Sequence, residues 1–237
     1  MDFKSLSTAH YIFYFESASL AEQEISAIAE EQEHCFDRIC NVLDVKYPGR
    51  ITYYLLDSAE KVGVLFGVDE PINGFAVLGE SKIYATYNQD IRCIGCHEDV
   101  HLISSVINIP KSDFLLEGLA MYFDETWWSI SNEIWACYYK KKHCALSIQD
   151  MILNKDFYAC DCMVTYPCAG AFIKFLINHY GMNSFIALYR YQGEDFDVAF
   201  ESVYGLPLAE IEDVFWNEML HIDFDISEIE NALKDET

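Results

Sequence analysis

The residues of this chain best placed to do chemistry are two histidines four positions apart, the first followed directly by a glutamate: HEDVH at 97–101. On a helix, positions i and i+4 lie one above the other on a single face, so the imidazoles of His97 and His101 can share one tetrahedral metal ion. Glu98 leans over the same face without having to ligate, which puts a carboxylate where it can take a proton from water beside the ion. The plain alternative is a chance pair of histidines on a buried helical face. The glutamate at the second position and the strand-then-helix context weigh against it. Two imidazoles still leave such a site one protein ligand short. Glu117 lies in FLLEGLAMYF, a segment apolar on nearly every helical face. An ionised carboxylate buried there is costly unless it is paired or bound to a cation. A salt bridge to Arg92 or Lys111, or a raised pKa, would also relieve that cost. The position of Glu117 on the next helix, across a turn containing Pro110, favours the metal. The expectation is one Zn²⁺ held by His97, His101 and Glu117, with a fourth position open.

The surrounding elements follow from periodicity. Residues 11–15 (YIFYF) read as a strand. Ser19 and Glu22 have capping-box spacing ahead of a helix whose inner stripe is Ile25, Ile28, Ala29, Gln32, Phe36, Ile39 and Leu43, with acids at 22, 24, 30, 31 and 33 on its wet face and Pro48-Gly49 as its stop. Residues 51–56 read as a strand, and 74–79 with 81–88 as a hairpin. The spacing then predicts helices over about 91–107, 113–125, 126–142, 167–180, 183–191 and 207–220, with Pro167 in a first helical turn and Gly181 as a stop. No repeat or low-complexity linker interrupts the chain. The fold class is therefore α+β in one domain over 1–237, with an αβ lobe over 1–107 that carries the histidine helix and a helical lobe over 108–237.

Composition narrows the function classes. The 237 residues are 52% hydrophobic and 23% charged, as in a globular chain, and Asp+Glu 39 against Lys+Arg 15 gives a formal charge of −24. A field of that sign repels phosphates and anionic lipid, so neither nucleic acid nor a membrane is an expected partner. No apolar run approaches the ~18 residues of a membrane span. The N-terminal MDFKSLSTAHYIFYF lacks the layout of a signal peptide, and nine scattered cysteines then read as reduced thiols of a cytoplasmic protein. Cys93, Cys96 and His97 also spell the haem-attachment pattern CIGCH. That reading needs export and leaves Glu98, His101 and Glu117 without a role. Cys160 and Cys162 form only a CxC and supply no second pair for a zinc knuckle. Cys96, beside a ligand, offers a route to redox control that nothing else in the sequence directs.

HEDVH followed by LLEGLAMYFDE resembles the zinc signature of the gluzincin metallopeptidases, particularly the bacterial peptidase MA-like domains. HYIFYFES, the helix after it and ITYYLLDS are similar to that family's opening. TYPCAGAFIKFLINHYGMNSFIALYR and FESVYGLPLAEIEDVFWNEM are similar to its helical close, so the resemblance covers nearly the whole chain. It implies a zincin-like fold and a zinc metallopeptidase that acts on a peptide or protein substrate. It also implies Glu98 as general base and proton shuttle, Glu117 as third ligand, and Tyr166 as the hydroxyl that stabilises the tetrahedral intermediate. The place of Tyr166 just before the Pro167 helix suits that role, because a helix N-terminus favours developing negative charge. Asp124, seven residues after Glu117 on the same face, either accepts a hydrogen bond from a ligating imidazole or lies on the surface. The strand motif that captures a free amino terminus in the aminopeptidases is not evident; GFAVLG is a loose stand-in, so exopeptidase action does not carry over. The expected cleft would have the edge strand near 74–79 beside it, offering backbone hydrogen bonds to an extended peptide. Two competing readings are a zinc-binding or regulatory protein without catalysis and a zinc hydrolase of a non-peptide amide. Side-chain preference, endo- or exo-cleavage and oligomeric state are not encoded legibly.

Overall fold

The computed structural model describes residues 2–153 and 157–234. The chain is mixed α and β and divides into two compact units, Met1–Val106 and Ile107–Thr237.

The first unit is built on a five-stranded sheet of β1 (Phe3–Ser7), β2 (Tyr11–Glu16), β3 (Ile51–Leu56), β4 (Gly74–Val77) and β5 (Lys82–Thr86), in the order β1-β2-β3-β5-β4. β2, β3 and β5 run parallel, while β1 and β4 join antiparallel at the two edges. Alternate residues of β2 and β3 are buried, among them Tyr11, Phe13, Tyr53 and Leu55, so one sheet face makes the core. The long helix α1 (Leu20–Leu43) buries the stripe Ile28, Gln32, Cys35, Phe36, Ile39 and Leu43. Its start is fixed by the Ser19 hydroxyl, which accepts from the Glu22 N–H at 3.2 Å, and by the Glu22 carboxylate, which accepts from the Ala18 N–H at 2.6 Å. The helix stops earlier than Pro48-Gly49 would dictate, because Asp44 turns left-handed (φ 50°) and its N–H caps the Cys40 carbonyl. A short helix α2 (Ala59–Phe66), which periodicity did not reveal, follows β3.

The helix expected from about residue 91 begins only at His97, as α3 (His97–Ser104). The preceding residues are held out of helix by a bridge between Arg92 and Tyr87 and by Gly95 at φ 114°, a conformation that favours glycine.

Helices dominate the second unit: α4 (Asp113–Asp124), α5 (Asn132–Lys141), α6 (Ile148–Leu153), a 3-10 turn (Phe157–Ala159), α7 (Cys162–Tyr180), α8 (Met182–Tyr189), α9 (Phe196–Tyr204), α10 (Leu208–Met219) and α11 (Ile226–Lys234). α4 and α7 approach closely through glycines. A Cβ on Gly118 would lie 2.7 Å from Ile173 Cγ1, and one on Gly170 would lie 2.7 Å from Met121 Cβ. Beside this contact the buried Asn132 side chain donates to the Met121 carbonyl at 2.8 Å.

Two expectations fail here. The stretch 126–142 is not helical throughout: β6 (Thr126–Trp127) and β7 (Ile130–Ser131) form a small hairpin first, with positive φ at Glu125, Trp128 and Ser129. The helix expected from Pro167 starts at Cys162, because Asp161 caps it by accepting from the Met163 N–H at 3.0 Å. Pro167 therefore lies inside α7, where it forgoes one hydrogen bond to the preceding turn. Among the described residues no helix is long and apolar enough to cross a membrane.

Candidate metal centre

Both histidines of HEDVH project from α3. Their ring centroids are 5.0 Å apart and nearly perpendicular, as i and i+4 imidazoles on one face should be. His101 is buried at 8% exposure and His97 is half-buried. α3 has only eight residues and no side-chain cap, since Cys96 occupies its N-cap position. A polar clamp from the rest of the first unit fixes it instead. The Gln32 amide donates to the Gly95 carbonyl at 3.0 Å and to Asp99 Oδ2 at 2.8 Å, and its oxygen accepts from the Gly95 N–H at 2.7 Å. The Tyr11 hydroxyl lies 2.6 Å from the same Asp99 oxygen. Gln32 and Asp99 are fully buried, so these bonds replace water that neither group can reach. Burial pushes the Asp99 carboxyl well above the ordinary carboxylate range, against the pull of the Tyr11 and Gln32 hydrogen bonds. The pentad is thus anchored two residues before its helix, at Gly95, and again at its centre, Asp99.

Glu98 lies against the edge strand. A Cβ placed on Gly74, the first residue of β4, would meet Glu98 Oε1 at 3.3 Å and Cys93 Sγ at 2.6 Å. Only a residue without a side chain lets β4 pass this close to the carboxylate. β4 does occupy a sheet edge, as the sequence suggested for 74–79, although the strand ends at Val77.

Glu117 stands in the middle of α4 and is buried at 5% exposure. Its Oε1 accepts a hydrogen bond from the Tyr158 hydroxyl at 2.7 Å. Burial and then the Glu117 charge raise the Tyr158 phenol, so it stays a donor. Asp113, one turn earlier on α4, is raised by burial and by the same carboxylate. Arg92, weighed from sequence as a partner for Glu117, pairs with Glu24 at 3.3 Å.

Tyr166 is half-buried as the fifth residue of α7, not at a helix N-terminus as expected from sequence, because the Asp161 cap moves the helix start upstream. Its ring lies 5.6 Å from Trp127 and 5.7 Å from Phe157. Asp124 closes α4 and is half-buried. Sequence reasoning missed Tyr158 outright, one of 16 tyrosines in a stretch with no motif. Gln32 carried a signal that was available: a polar residue on the buried stripe of α1 has to be satisfied by something specific.

Among the described residues, His97, His101 and Glu117 form a group that can hold a metal ion, with one ligand atom from each lying within 4.8 Å of the others. Two imidazoles and a largely buried carboxylate are a donor set that suits a divalent cation of borderline softness. The comparisons with known proteins add no relative: no family profile matches the sequence, and no curated protein is significantly similar to it.

Proposed function

We propose that the chain is a zinc metallopeptidase on a zincin-like scaffold, in which His97, His101 and Glu117 hold one Zn²⁺. The observation that carries the reading is the His97–His101–Glu117 group itself, with Glu98 one residue from the first ligand. When bound, the ion supplies a Lewis acid that polarises an amide carbonyl and acidifies water. Glu98 removes a proton from the attacking water and afterwards delivers it to the leaving amine. An extended peptide adding its backbone to β4 would run past Gly74 and so past the Glu98 carboxylate, which lies within contact distance of that position. Tyr158 donates to Glu117 Oε1 and so orients the carboxylate that would hold the ion. Tyr166 keeps the oxyanion role that the family resemblance gives it, now from the second turn of a helix. The support for that role is therefore the resemblance and not the helix terminus.

The test is a peptide-library cleavage profile of the zinc-loaded chain beside its Glu98→Gln variant. Cleavage by the parent and a loss of about a thousandfold in the variant, with zinc content unchanged, is the expected result. Equal turnover by both proteins would remove Glu98 from the mechanism. Zinc binding with no cleavage of any peptide would leave a binding protein in place of an enzyme.

A further inference from the structure

Cys35 and Cys96 place their Sγ atoms 2.7 Å apart, well inside the separation at which two non-bonded sulfur atoms pack. Both are buried at 6% exposure, and both belong to the first unit. Cys35 lies on the inner stripe of α1, three residues after Gln32, and Cys96 is the N-cap of α3, directly before His97. A disulfide needs about 2.05 Å between the sulfurs, so the two side chains have roughly 0.6 Å left to close. They are 61 positions apart in sequence, and a bond between them would tie α1 to the residue that caps α3.

We propose that Cys35 and Cys96 are a modification site, a thiol pair that a peroxide converts reversibly into a disulfide and that thereby locks the histidine helix onto α1. In the step two S–H bonds break and one S–S bond forms. The two electrons and two protons pass to hydrogen peroxide, which leaves as two molecules of water; a dithiol reverses the change. Cys35 lies one turn from Gln32 on α1, so the covalent bond would reinforce the side of α3 that the clamp already holds at Gly95 and Asp99. The oxidised chain should unfold at a higher temperature, because the bond closes a long loop of the unfolded chain. On the zinc reading, from which this clause follows, it should also release its metal more slowly, because His97 follows the anchored residue.

The experiment begins with the reduced full chain, its zinc content recorded, and exposes it to hydrogen peroxide before peptide mapping without reductant. The expected product is a cross-linked peptide pair containing Cys35 and Cys96 that a dithiol separates. The thermal midpoint should rise by ~5 °C or more, and zinc loss to a chelator should slow by about tenfold. Cys35→Ser and Cys96→Ser should each lose the rise, while Cys144→Ser, at an exposed cysteine, should keep it. Finding both thiols unmodified while Cys144 and Cys162 are oxidised, or finding either one joined to another cysteine, overturns the proposal. The mapping of the parent chain decides this even if a serine variant fails to fold. A cross-link in a chain that never held zinc refutes the metal reading and leaves the thiol pair standing; zinc without a cross-link does the reverse.

Discussion

The two regions that supply the proposed ligands are held by opposite means. α3, which carries the histidines, is eight residues long, lacks a side-chain cap and is fixed by buried polar side chains: Gln32 on Gly95 and Asp99, and Tyr11 on Asp99. α4, which carries Glu117, is apolar on most faces and is fixed by close packing on α7 through Gly118 and Gly170, with the Tyr158 hydroxyl donating to the carboxylate and Asn132 to the Met121 carbonyl. A helix of two turns has few residues with which to set its own rotation, even with Val100, Leu102 and Ile103 fully buried, and directional hydrogen bonds add to that packing. A longer apolar helix is oriented by shape, and it is the carboxylate buried in its middle that needs a dedicated partner. The contrast assigns different failure modes to the two regions.

The largest effect should come from the clamp. Gln32→Leu keeps much of the volume but removes three hydrogen bonds, leaving the Gly95 N–H and Asp99 without those partners in a buried place. A loss of about 3 kcal/mol in denaturant unfolding is expected. Gly170→Ala should cost about 2 kcal/mol, because the new methyl meets Met121 and Asn132 across the α4–α7 contact. A Gly170→Ala cost well above that of Gln32→Leu would invert the comparison. Tyr158→Phe should leave stability nearly unchanged and weaken zinc binding about tenfold, read by competition with a chromogenic chelator. Unchanged affinity would remove Tyr158 from the account of the carboxylate. The smallest change, about 1 kcal/mol, is expected for Ser19→Ala at the start of α1, which takes no part in either contrasted contact. It calibrates the scale.

The candidate ligand residues were legible because each rests on a local rule: imidazoles at i and i+4, and a carboxylate in an apolar helix. The central strands and α1 were legible for the same reason, since period 2 and period 3.6 are strong in YIFYF, ITYYLL and the Ile28–Leu43 stripe. What failed was decided by single residues with special backbone or by competition between signals. Gly95 and the Tyr87–Arg92 bridge delay α3 to His97, positive φ at Trp128 and Ser129 makes a hairpin from an aromatic run, and the Asp161 cap overrides the proline rule at Pro167. Short helices such as α2, α6, α9 and α11 were missed because fewer than three turns give periodicity little to repeat. Contacts between residues distant in sequence, Tyr158 to Glu117 and Gln32 to Gly95 and Asp99, leave no spacing to read.

The central claim is that two imidazoles and one carboxylate share a single ion. It is tested most directly by the metal content of the purified chain after zinc loading and gel filtration, beside His97→Ala, His101→Ala and Glu117→Ala. One zinc per parent chain, with little or none retained by any of the folded variants, is the predicted result. A parent that takes up no zinc, or a Glu117→Ala protein that keeps it as tightly as the parent, would contradict the account.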